Sequence, residues 1–494
     1  MSESAPSAEP VALTPAAVPT PAAAPAPEPI AAAPGGWPLL GHFLPLRRDP
    51  LGFLETLRGH GDLVALKLGP LRFVVVCDPR LAHEVLTDLR TYDRTGPVYD
   101  RVRRAMGSGV ATSAYPAHRR QRLLMQPAFH PRHLPGYAEV MRTQTAALLD
   151  GWRAGDTVDI ATEMFRLTTS IALRALFSTG QNPQESEKLR EAFEVFLRGS
   201  YTQIAFPAYG RLPLPGNLRY RAALRQWRKQ VRDLIARYRA GGGGQDLMAR
   251  LLAALGEEGE GLTDVELSDQ VAVLLIAGGE TTSAALTWAM YLLCTNPGVL
   301  HATAEEAARV LGGAVAGWEH LPQLDLTGRV IQEALRMYPP SWLLPRTAAR
   351  ETRLGGHAIP AGTTLLLSQY LLHRDPDVFP EPGCFDPDRW LRRTGPAAAA
   401  VPAPASATAT CPADNATAPA TTSATVRRAY LPFGGGPTKC LGEQFASAEA
   451  VLALASILAR WTPELRDARA AEKPDCRLVL LPRHLPVRLV ARPT

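Results

Sequence analysis

A single cysteine, Cys440, lies in a loop of small residues directly before a long helical pattern. The loop, FGGGPTKCLG, runs from Phe433 to Gly442, and the sequence LGEQFASAEAVLALASILAR follows the cysteine. The glycines at 434–436 allow backbone N–H groups to point at the sulfur, and the positive end of a helix dipole favours a thiolate. Such a thiolate is a nucleophile or a metal ligand. An ordinary buried cysteine is the simpler alternative for this residue taken alone.

The choice between a nucleophile and a metal ligand depends on which residues the sequence supplies to act with Cys440. A nucleophilic cysteine needs a base beside it, and no histidine motif supplies one. A thiolate that ligates haem iron needs no second protein ligand, because the porphyrin nitrogens fill the equatorial positions. No CxxC motif or Cys/His cluster indicates a zinc site.

An acid and an alcohol interrupt the longest apolar helical pattern of the chain, at AGGETTS (277–283). A buried Glu280 is costly unless it is paired or hydrated, and together with Thr281 it could relay protons to a bound ligand. Gly278 and Gly279 would let a flat group approach the backbone, or let the helix open locally. The alternative is a kinked structural helix in which Thr281 bonds to its own i−4 carbonyl.

These two motifs, with several weaker ones, resemble the cytochrome P-450 family. FGGGPTKCLG is similar to its haem-thiolate loop, F-x-x-G-x-[R/H]-x-C-x-G, and departs from it at Thr438, where the family usually has a basic residue. AGGETTS resembles the oxygen-activation motif. EALR (333–336) matches E-x-x-R, and FDPDRW (385–390) resembles the P-E-R-F region. HRRQR (118–122) resembles the propionate-binding helix, and WLLPRTA contains Arg346 as a further propionate partner.

The resemblance covers residues ~35 to 490 and implies both a fold and a reaction. The implied fold is mainly α with small β-sheets, a single domain with haem between a long central helix and the helix after the cysteine loop. The implied cofactor is haem b. The implied roles are iron ligation by Cys440; haem binding by His118, Arg122, Arg346, Phe433, Thr438 and Gly442; proton delivery by Glu280 and Thr281; and a structural triad of Glu333, Arg336 and Arg389.

The resemblance also implies a substrate class and the proteins that supply electrons. The enzyme would insert one oxygen atom from O2 into an apolar small molecule, with a terpenoid of secondary metabolism favoured and a fatty acid as the alternative. A haem sensor or a lyase is the alternative outside the oxygenases. Substrate contacts are expected from 95–115, 196–216, the helix around 277–288, and 341–345. Electrons would come from a ferredoxin and a ferredoxin reductase, which could dock on a basic face of Arg119, Arg120, Arg427, Arg428 and Lys439.

The elements that must position these residues are mostly helical. Alternation of β-branched residues predicts a hairpin at 63–68 and 71–77. Helical patterns cover 79–90, 117–127, 136–152 and 160–178, and another runs up to about 239. The central helix should span about 264–295, from the capping box of Thr263 and Glu266 to the stop at Asn296-Pro297. Prolines predict a loop at 201–217.

Composition sets the limits of the folded part. The chain has 494 residues, of which 46% are hydrophobic and 20% charged, which is typical of a globular protein. Two Ala/Pro-rich segments, 1–34 and 394–425, are predicted to be a disordered tail and a disordered insertion, which leaves 35–494 as one domain. The six cysteines show no pairing pattern. No signal peptide, membrane span or nucleic-acid-binding stripe is predicted, and a cytoplasmic location follows.

Overall fold

The computed structural model describes residues 28–177, 183–205, 207–242, 246–253, 262–391, 423–467, 469 and 474–492. These ranges are mainly helical with small sheets, as predicted. The helices are α1 Phe43–Arg48, α2 Pro50–Leu57, α3 Pro79–Thr87, α4 Gly96–Met106, α5 Tyr115–Met125, α6 Leu134–Asp150, α7 Ile160–Leu176, α8 Pro183–Ala205, α9 Pro207–Arg211, α10 Pro215–Arg237, α11 Leu247–Ala253, α12 Asp264–Thr295, α13 Pro297–Leu311, α14 Asp325–Met337, α15 Gln369–Leu372, α16 Ser423–Ala429 and α17 Glu443–Arg460.

The strands are short and form small sheets around the helices. They are β1 Ala31–Ala32, β2 Leu63–Leu68, β3 Leu71–Val76, β4 Tyr92–Asp93, β5 Thr157–Asp159, β6 Leu344–Ala348, β7 Thr352–Leu354, β8 His357–Ile359, β9 Thr364–Leu367, β10 Trp461–Leu465, β11 Asp475–Cys476, β12 Leu480–Leu481 and β13 Pro486–Ala491. The largest sheet has the order β1-β2-β3-β9-β6-β4. Its β2–β3 hairpin pairs Leu63 with Val76 and Leu68 with Leu71, which confirms the predicted hairpin.

The central helix α12 begins and ends where the sequence predicts. Thr263 and Glu266 form the capping box at its start, and Asn296 is its C-cap residue. It packs along α7 and also contacts α10, α14 and α17. Within the described residues α12 is also the one helix long and apolar enough to cross a membrane, but 72% of its most apolar window is buried inside the protein. It is therefore a core helix.

Glycine allows the close contact between α12 and α7. A Cβ on Gly279 would lie 3.0 Å from Thr169 Oγ1, and one on Gly278 would lie 3.4 Å from the Cβ of Ala172. Thr168 Oγ1 donates to the carbonyl O of Gly279 at 2.6 Å. The helix runs through this region without a break, so the predicted local opening is absent. Both glycines serve helix packing, and Gly278 also lines the cavity described below.

Four predictions, about one loop, two segment boundaries and the cysteines, need correction. Residues 201–217 are mostly helical rather than a loop, in α8, α9 and the start of α10. The ordered part begins before Gly35, because β1 pairs in parallel with β2. The start of α16 overlaps the end of the predicted insertion. Cys384 is disulfide-bonded, so the cysteines are not all unpaired. Most of the predicted tail and insertion lies outside the described residues.

Candidate active site

A cavity of about 320 Å³ lies between α12 and the loop that precedes α17. Gly278 and Thr281 line it from α12, and Phe433 and Cys440 line it from the loop. The structure thus brings the two motifs that carry chemistry to the lining of one cavity. The described residues contain no cluster of three or more His, Cys, Asp or Glu side chains that could hold a metal ion by themselves.

The shape of the cysteine loop depends on one backbone hydrogen bond and two glycines. The N–H of Cys440 donates to the carbonyl O of Phe433 at 2.9 Å, which closes the loop. Gly434 and Gly436 have φ of 72° and 61°, in the left-handed region that glycine adopts most easily. A Cβ on Gly436 would also collide with the carbonyl O of Leu86 at the end of α3. The loop is therefore fixed on α3 by a contact that excludes any side chain.

The thiol of Cys440 lines the cavity and is accessible there, although protein atoms surround it closely. Burial raises the pKa of this thiol, while the N–H of Gly442 and the cations Arg122 and Lys439 lower it less strongly. The expectation that the helix start favours a thiolate stays a prediction, because the N–H of Gly442 acts in the expected direction and burial opposes it. A bound cation that coordinates the sulfur would restore the thiolate, because metal ligation deprotonates a cysteine.

Three arginines converge on the same loop beside the sulfur. Arg122 Nη1 donates to the carbonyl O of Lys439 at 2.6 Å. Arg346 Nη2 donates to Thr438 Oγ1 at 3.0 Å. Arg94 Nη2 lies 3.5 Å from the carbonyl O of Thr438, and its Nη1 donates to Val110 O at 2.8 Å. Thr438 therefore positions two arginines in place of carrying a charge itself.

The donors of this cluster are not fully used by the protein. The Nε atoms of Arg94 and Arg346 are buried and have no hydrogen-bond partner in the described part of the chain. Burial lowers the pKa of Arg94 to about 10, so the group stays cationic at neutral pH. Buried donors of this kind require an acceptor that the protein does not supply. A ligand with two carboxylates beside the sulfur, such as haem, meets that requirement.

His118 lines the same cavity but is not a cation there. It is 3% exposed, and burial together with Arg94, Arg122 and Arg346 lowers its pKa to about 4. Without a bound anion His118 is a neutral imidazole that can still donate one hydrogen bond, and its role in binding a haem carboxylate stays a prediction. Arg94 could not be identified from the sequence, because a lone arginine in a loop has no pattern in a chain with 53 Lys and Arg residues.

The acid and the alcohol of α12 point in different directions. Thr281 lines the cavity, and its Oγ1 donates to the carbonyl O of Ala277, the i−4 bond that the structural alternative predicts. Glu280 is 5% exposed and does not line the cavity. Its Oε2 accepts a hydrogen bond from Tyr201 OH of α8. Burial raises the pKa of Glu280 to about 7, and the Tyr201 bond and Arg477 oppose this.

A second buried acid, which the sequence analysis did not identify, faces the next residue of α12. Glu449 lies on α17 with 1% exposure, and burial raises its pKa well above the usual range. Thr282, which lines the cavity, lowers that pKa, so the two side chains are close. Neither has a hydrogen bond of normal geometry among the described residues. Glu449 is therefore a neutral acid beside the hydroxyl of Thr282.

The predicted triad forms a buried, bidentate ion-pair cluster below the loop. Arg336 Nη2 and Nε contact the two carboxylate oxygens of Glu333 at 2.8 and 3.0 Å, and Arg389 Nε contacts Oε1 at 3.2 Å. Glu333 and Arg336 are fully buried, and Arg389 is 5% exposed. Trp390 Nε1 donates to Glu333 Oε2 at 3.1 Å. The carboxylate therefore has the multiple hydrogen bonds that a buried charge needs.

The predicted substrate segments contribute unequally to the cavity. Tyr99, Ser341 and Leu344 line it, together with α12 from Val273 to Ala285. Of the described residues between 196 and 216, none does so. The aliphatic part of the lining includes Val110, Ala111, Ala172, Ala175, Leu176, Leu247, Val273, Leu274, Ala277 and Ala285. The sequence did not predict that α7 and α11 would line the cavity. Their hydrophobic periodicity shows which face is buried but not what that face contacts.

Comparisons with known proteins identify the family. The profile described as Cytochrome P-450 matches residues 32–489. Cyclooctatin synthase of Streptomyces melanosporofaciens is 41% identical over 87% of this chain and 89% of its own length. Pentalenene oxygenase of Streptomyces avermitilis is 38% identical over 93% of this chain and 97% of its own length. The crystal structure of the cytochrome P-450DA haem domain superposes with a TM-score of 0.78 at 28% identity, covering 94% of this chain and 98% of that one.

The chain therefore belongs to the cytochrome P-450 family, and the fold inferred from its motifs is confirmed. Its enzyme class is that of the family's monooxygenases, which are oxidoreductases. Membership implies haem with a thiolate ligand and the use of O2 with redox partners.

Proposed function

We propose that this protein is a haem b monooxygenase that inserts one oxygen atom from O2 into a terpenoid. The observation that carries the proposal is the cavity that Cys440 and Thr281 both line, with Arg94, Arg122 and Arg346 gathered at the cysteine loop. A thiolate, a set of carboxylate-binding cations and a wall with a hydroxyl are the groups that haem-dependent oxygen chemistry requires.

Each residue has a defined role in this proposal. Cys440 ligates the iron, and the free donors of Arg94 and Arg346 bind the haem carboxylates along with Arg122. When bound, the haem supplies the binding and activation of dioxygen, aided by electron donation from the thiolate. Thr281 releases its i−4 hydrogen bond to donate into the cavity. Glu280, with a pKa near 7, supplies the proton from behind α12.

The cavity chemistry favours a terpenoid over a fatty acid. Every cation that lines the cavity among the described residues lies at or near the cysteine loop, where haem carboxylates would use it. The opposite lining is aliphatic, so it leaves a fatty-acid carboxylate without a counter-ion. The relatives named cyclooctatin synthase and pentalenene oxygenase agree with an apolar cyclic substrate of secondary metabolism. A fatty acid remains the second candidate only through the family resemblance.

Electrons are supplied by a ferredoxin and a ferredoxin reductase in this proposal, and the enzyme acts in the cytoplasm. The expected docking face contains exposed Arg119, Arg427 and Arg428. Two members of the predicted face are already ion-paired within the chain. Arg120 pairs with Glu266, and Lys439 Nζ lies 2.6 Å from Glu443 Oε2. Fewer positive charges are therefore available to a partner on this face than the sequence suggests. Arg119 and Arg428 provide a larger share of them.

The first test is spectroscopic. The reduced, carbon-monoxide-bound protein is expected to show the band of thiolate-ligated haem, and Cys440→Ser is expected to lose it. A thiolate band in the serine variant would overturn the assignment of Cys440. A second test titrates the ferric enzyme with a panel of cyclic terpene hydrocarbons, monohydroxylated terpenes and saturated fatty acids. Spin-state shifts with terpenes are expected at concentrations at least about tenfold lower than with fatty acids, and the reverse order would reject the terpenoid assignment.

A further inference from the structure

One leucine before the cysteine loop has both of its backbone groups held by side chains from a single short element. The N–H of Leu431 donates to His373 Nε2 at 2.8 Å. The carbonyl O of Leu431 accepts a hydrogen bond from Gln369 Nε2. Gln369 begins α15 and His373 is its C-cap residue, so one turn of chain supplies both contacts. All three residues are buried.

The other nitrogen of His373 connects this contact to the buried triad. Its Nδ1 lies 3.2 Å from the carbonyl O of Arg336, and Arg336 Nη1 donates to the carbonyl O of His373 at 3.2 Å. Since Nε2 accepts from Leu431, the neutral ring must carry its proton on Nδ1 and donate to Arg336. Burial and the neighbouring Arg336 lower the pKa of His373 to about 3, so the ring stays neutral at ordinary pH.

From Leu431 the connection reaches the sulfur in two further hydrogen bonds. The N–H of Gly434 donates to the carbonyl O of Leu431 at 2.9 Å, and the N–H of Cys440 donates to the carbonyl O of Phe433 at 2.9 Å. The position of Leu431 therefore sets the entry of the loop that closes at Cys440. A displaced loop would move the sulfur relative to the cavity.

We propose that His373, supported by Gln369, is a positioning residue that keeps Cys440 in the geometry of a thiolate ligand. The imidazole transmits the rigid position of Arg336 to the backbone of Leu431 through its two nitrogens. This inference rests on the proposed function, because it assumes that Cys440 ligates haem iron. It assigns to this pair an effect on the iron–sulfur bond that is separate from overall stability.

The two nitrogens of His373 can be tested separately by amide side chains. Glutamine places its side-chain oxygen near the position of Nε2, so His373→Gln keeps the acceptor for Leu431. Asparagine reaches only the position of Nδ1, so His373→Asn keeps a donor for Arg336 and leaves the buried N–H of Leu431 unpaired. A buried unpaired N–H costs about 1–3 kcal/mol, which the loop can avoid by moving.

The measurement is the ratio of thiolate-ligated to thiol-ligated haem in the reduced, carbon-monoxide-bound protein. His373→Asn is expected to lower this ratio about tenfold or more, and His373→Gln to restore most of it. Gln369→Leu should have a smaller effect, because the carbonyl O of Leu431 keeps its bond from Gly434. As a matched control, Thr303→Val removes a buried hydrogen bond to Val299 on α13 and should lower the unfolding midpoint without changing the ratio.

The outcomes separate this inference from the proposed function. If the unaltered protein shows no thiolate band, the assignment of haem-thiolate chemistry fails. If that band is present and His373→Asn folds with an unchanged ratio, the positioning role is rejected. Equal loss in the Asn and Gln variants also rejects it, because the role of Nε2 would then be unsupported. If His373→Asn does not fold, a reduced ratio in His373→Gln rejects the proposal, because this variant keeps the acceptor for the N–H of Leu431.

Discussion

At the scale of single residues, the departure of Thr438 from the family pattern is compensated by its neighbours. Threonine lacks the charge expected at this position, but its hydroxyl accepts from Arg346 and its carbonyl lies near Arg94. The resulting cluster contains three guanidinium groups for two haem carboxylates. The charge that Thr438 lacks is therefore provided from a different part of the chain, directly after β4.

Arg94 should be needed for tight haem binding even though no motif identified it. Arg94→Leu removes a buried charge and its donors to a carboxylate, a loss of about 1.5–3 kcal/mol that corresponds to roughly tenfold or more faster loss of haem. Transfer of haem to an excess of a haem-scavenging protein measures this rate. Arg119→Leu, which removes an exposed arginine, is the control and should match the unaltered protein. Equal transfer rates for both variants would show that Arg94 does not contact the haem.

Glu280 should make stability fall as the pH rises. Burial raises its pKa from 4.5 to about 7, so the folded protein keeps a proton that the unfolded chain has already lost. The free energy of unfolding therefore decreases between about pH 4.5 and 7, by roughly 3 kcal/mol from this group. Urea unfolding across this range measures the decrease in the free energy of unfolding. The Glu280→Gln variant should lack the part of the decrease that Glu280 causes.

A matched variant tests the cause of that shift. The hydrogen bond from Tyr201 lowers the pKa of Glu280, so Tyr201→Phe should move the decrease in stability to higher pH. An identical pH dependence in the unaltered protein and in Glu280→Gln would mean that Glu280 is hydrated and ionises normally in the fold.

At the scale of elements, the contact between the cysteine loop and α3 can be tested with two glycines. Gly434→Ala and Gly436→Ala each place a side chain at positive φ, which costs roughly 1–2 kcal/mol. Only the Cβ at 436 also collides with the carbonyl of Leu86, whereas the Cβ at 434 has no neighbour nearer than 4.0 Å. Gly436→Ala should therefore lose more thiolate-ligated haem and more stability, as measured by the carbon-monoxide spectrum and by thermal unfolding. Equal losses would show that strain alone determines the loop.

The elements that the sequence predicted well are those with a local signal. Capping residues and a terminal Asn-Pro define α12, and alternation defines the β2–β3 hairpin. The segment 201–217 was wrongly predicted because two of its three prolines, Pro207 and Pro215, occupy first turns of helices, where the missing N–H costs nothing. The strand β1 is too short to be seen without its partner β2.

The site was predictable to the extent that its residues lie in motifs. Cys440 and Thr281 line one cavity, and Glu333, Arg336 and Arg389 form a separate buried ion-pair cluster. Arg94 and Glu449 were missed, because their functions depend on contacts between segments far apart in sequence. The contact of Glu280 with Tyr201 could not be predicted either. The motif gives the position of Glu280 on α12 but does not show which element packs against that face of the helix.

At the scale of the whole molecule, exposed arginines are brought near the cysteine loop by the elements that pack around it. The loop contacts α3, which also packs against α16, where Arg428 is exposed. Arg119 lies on α5, whose Arg122 bonds to the loop at Lys439. An acidic redox protein that docks here would approach the haem from the side of its sulfur ligand. The net charge of +6 suits such a partner without specifying the face.

Charge reversal on this face should slow reduction by ferredoxin without affecting the haem. The double variant Arg119→Glu and Arg428→Glu is expected to lower the second-order rate of reduction roughly tenfold at low ionic strength, and added salt should reduce the difference because it screens exposed charges. Stopped-flow reduction under carbon monoxide measures the rate and reports the thiolate band in the same trace. The control reverses two exposed charges on α10, Arg225→Glu and Arg232→Glu, since α10 packs on α8 and α12 rather than on the loop. If both double variants slow reduction equally, net charge alone governs association and no docking face exists near the loop.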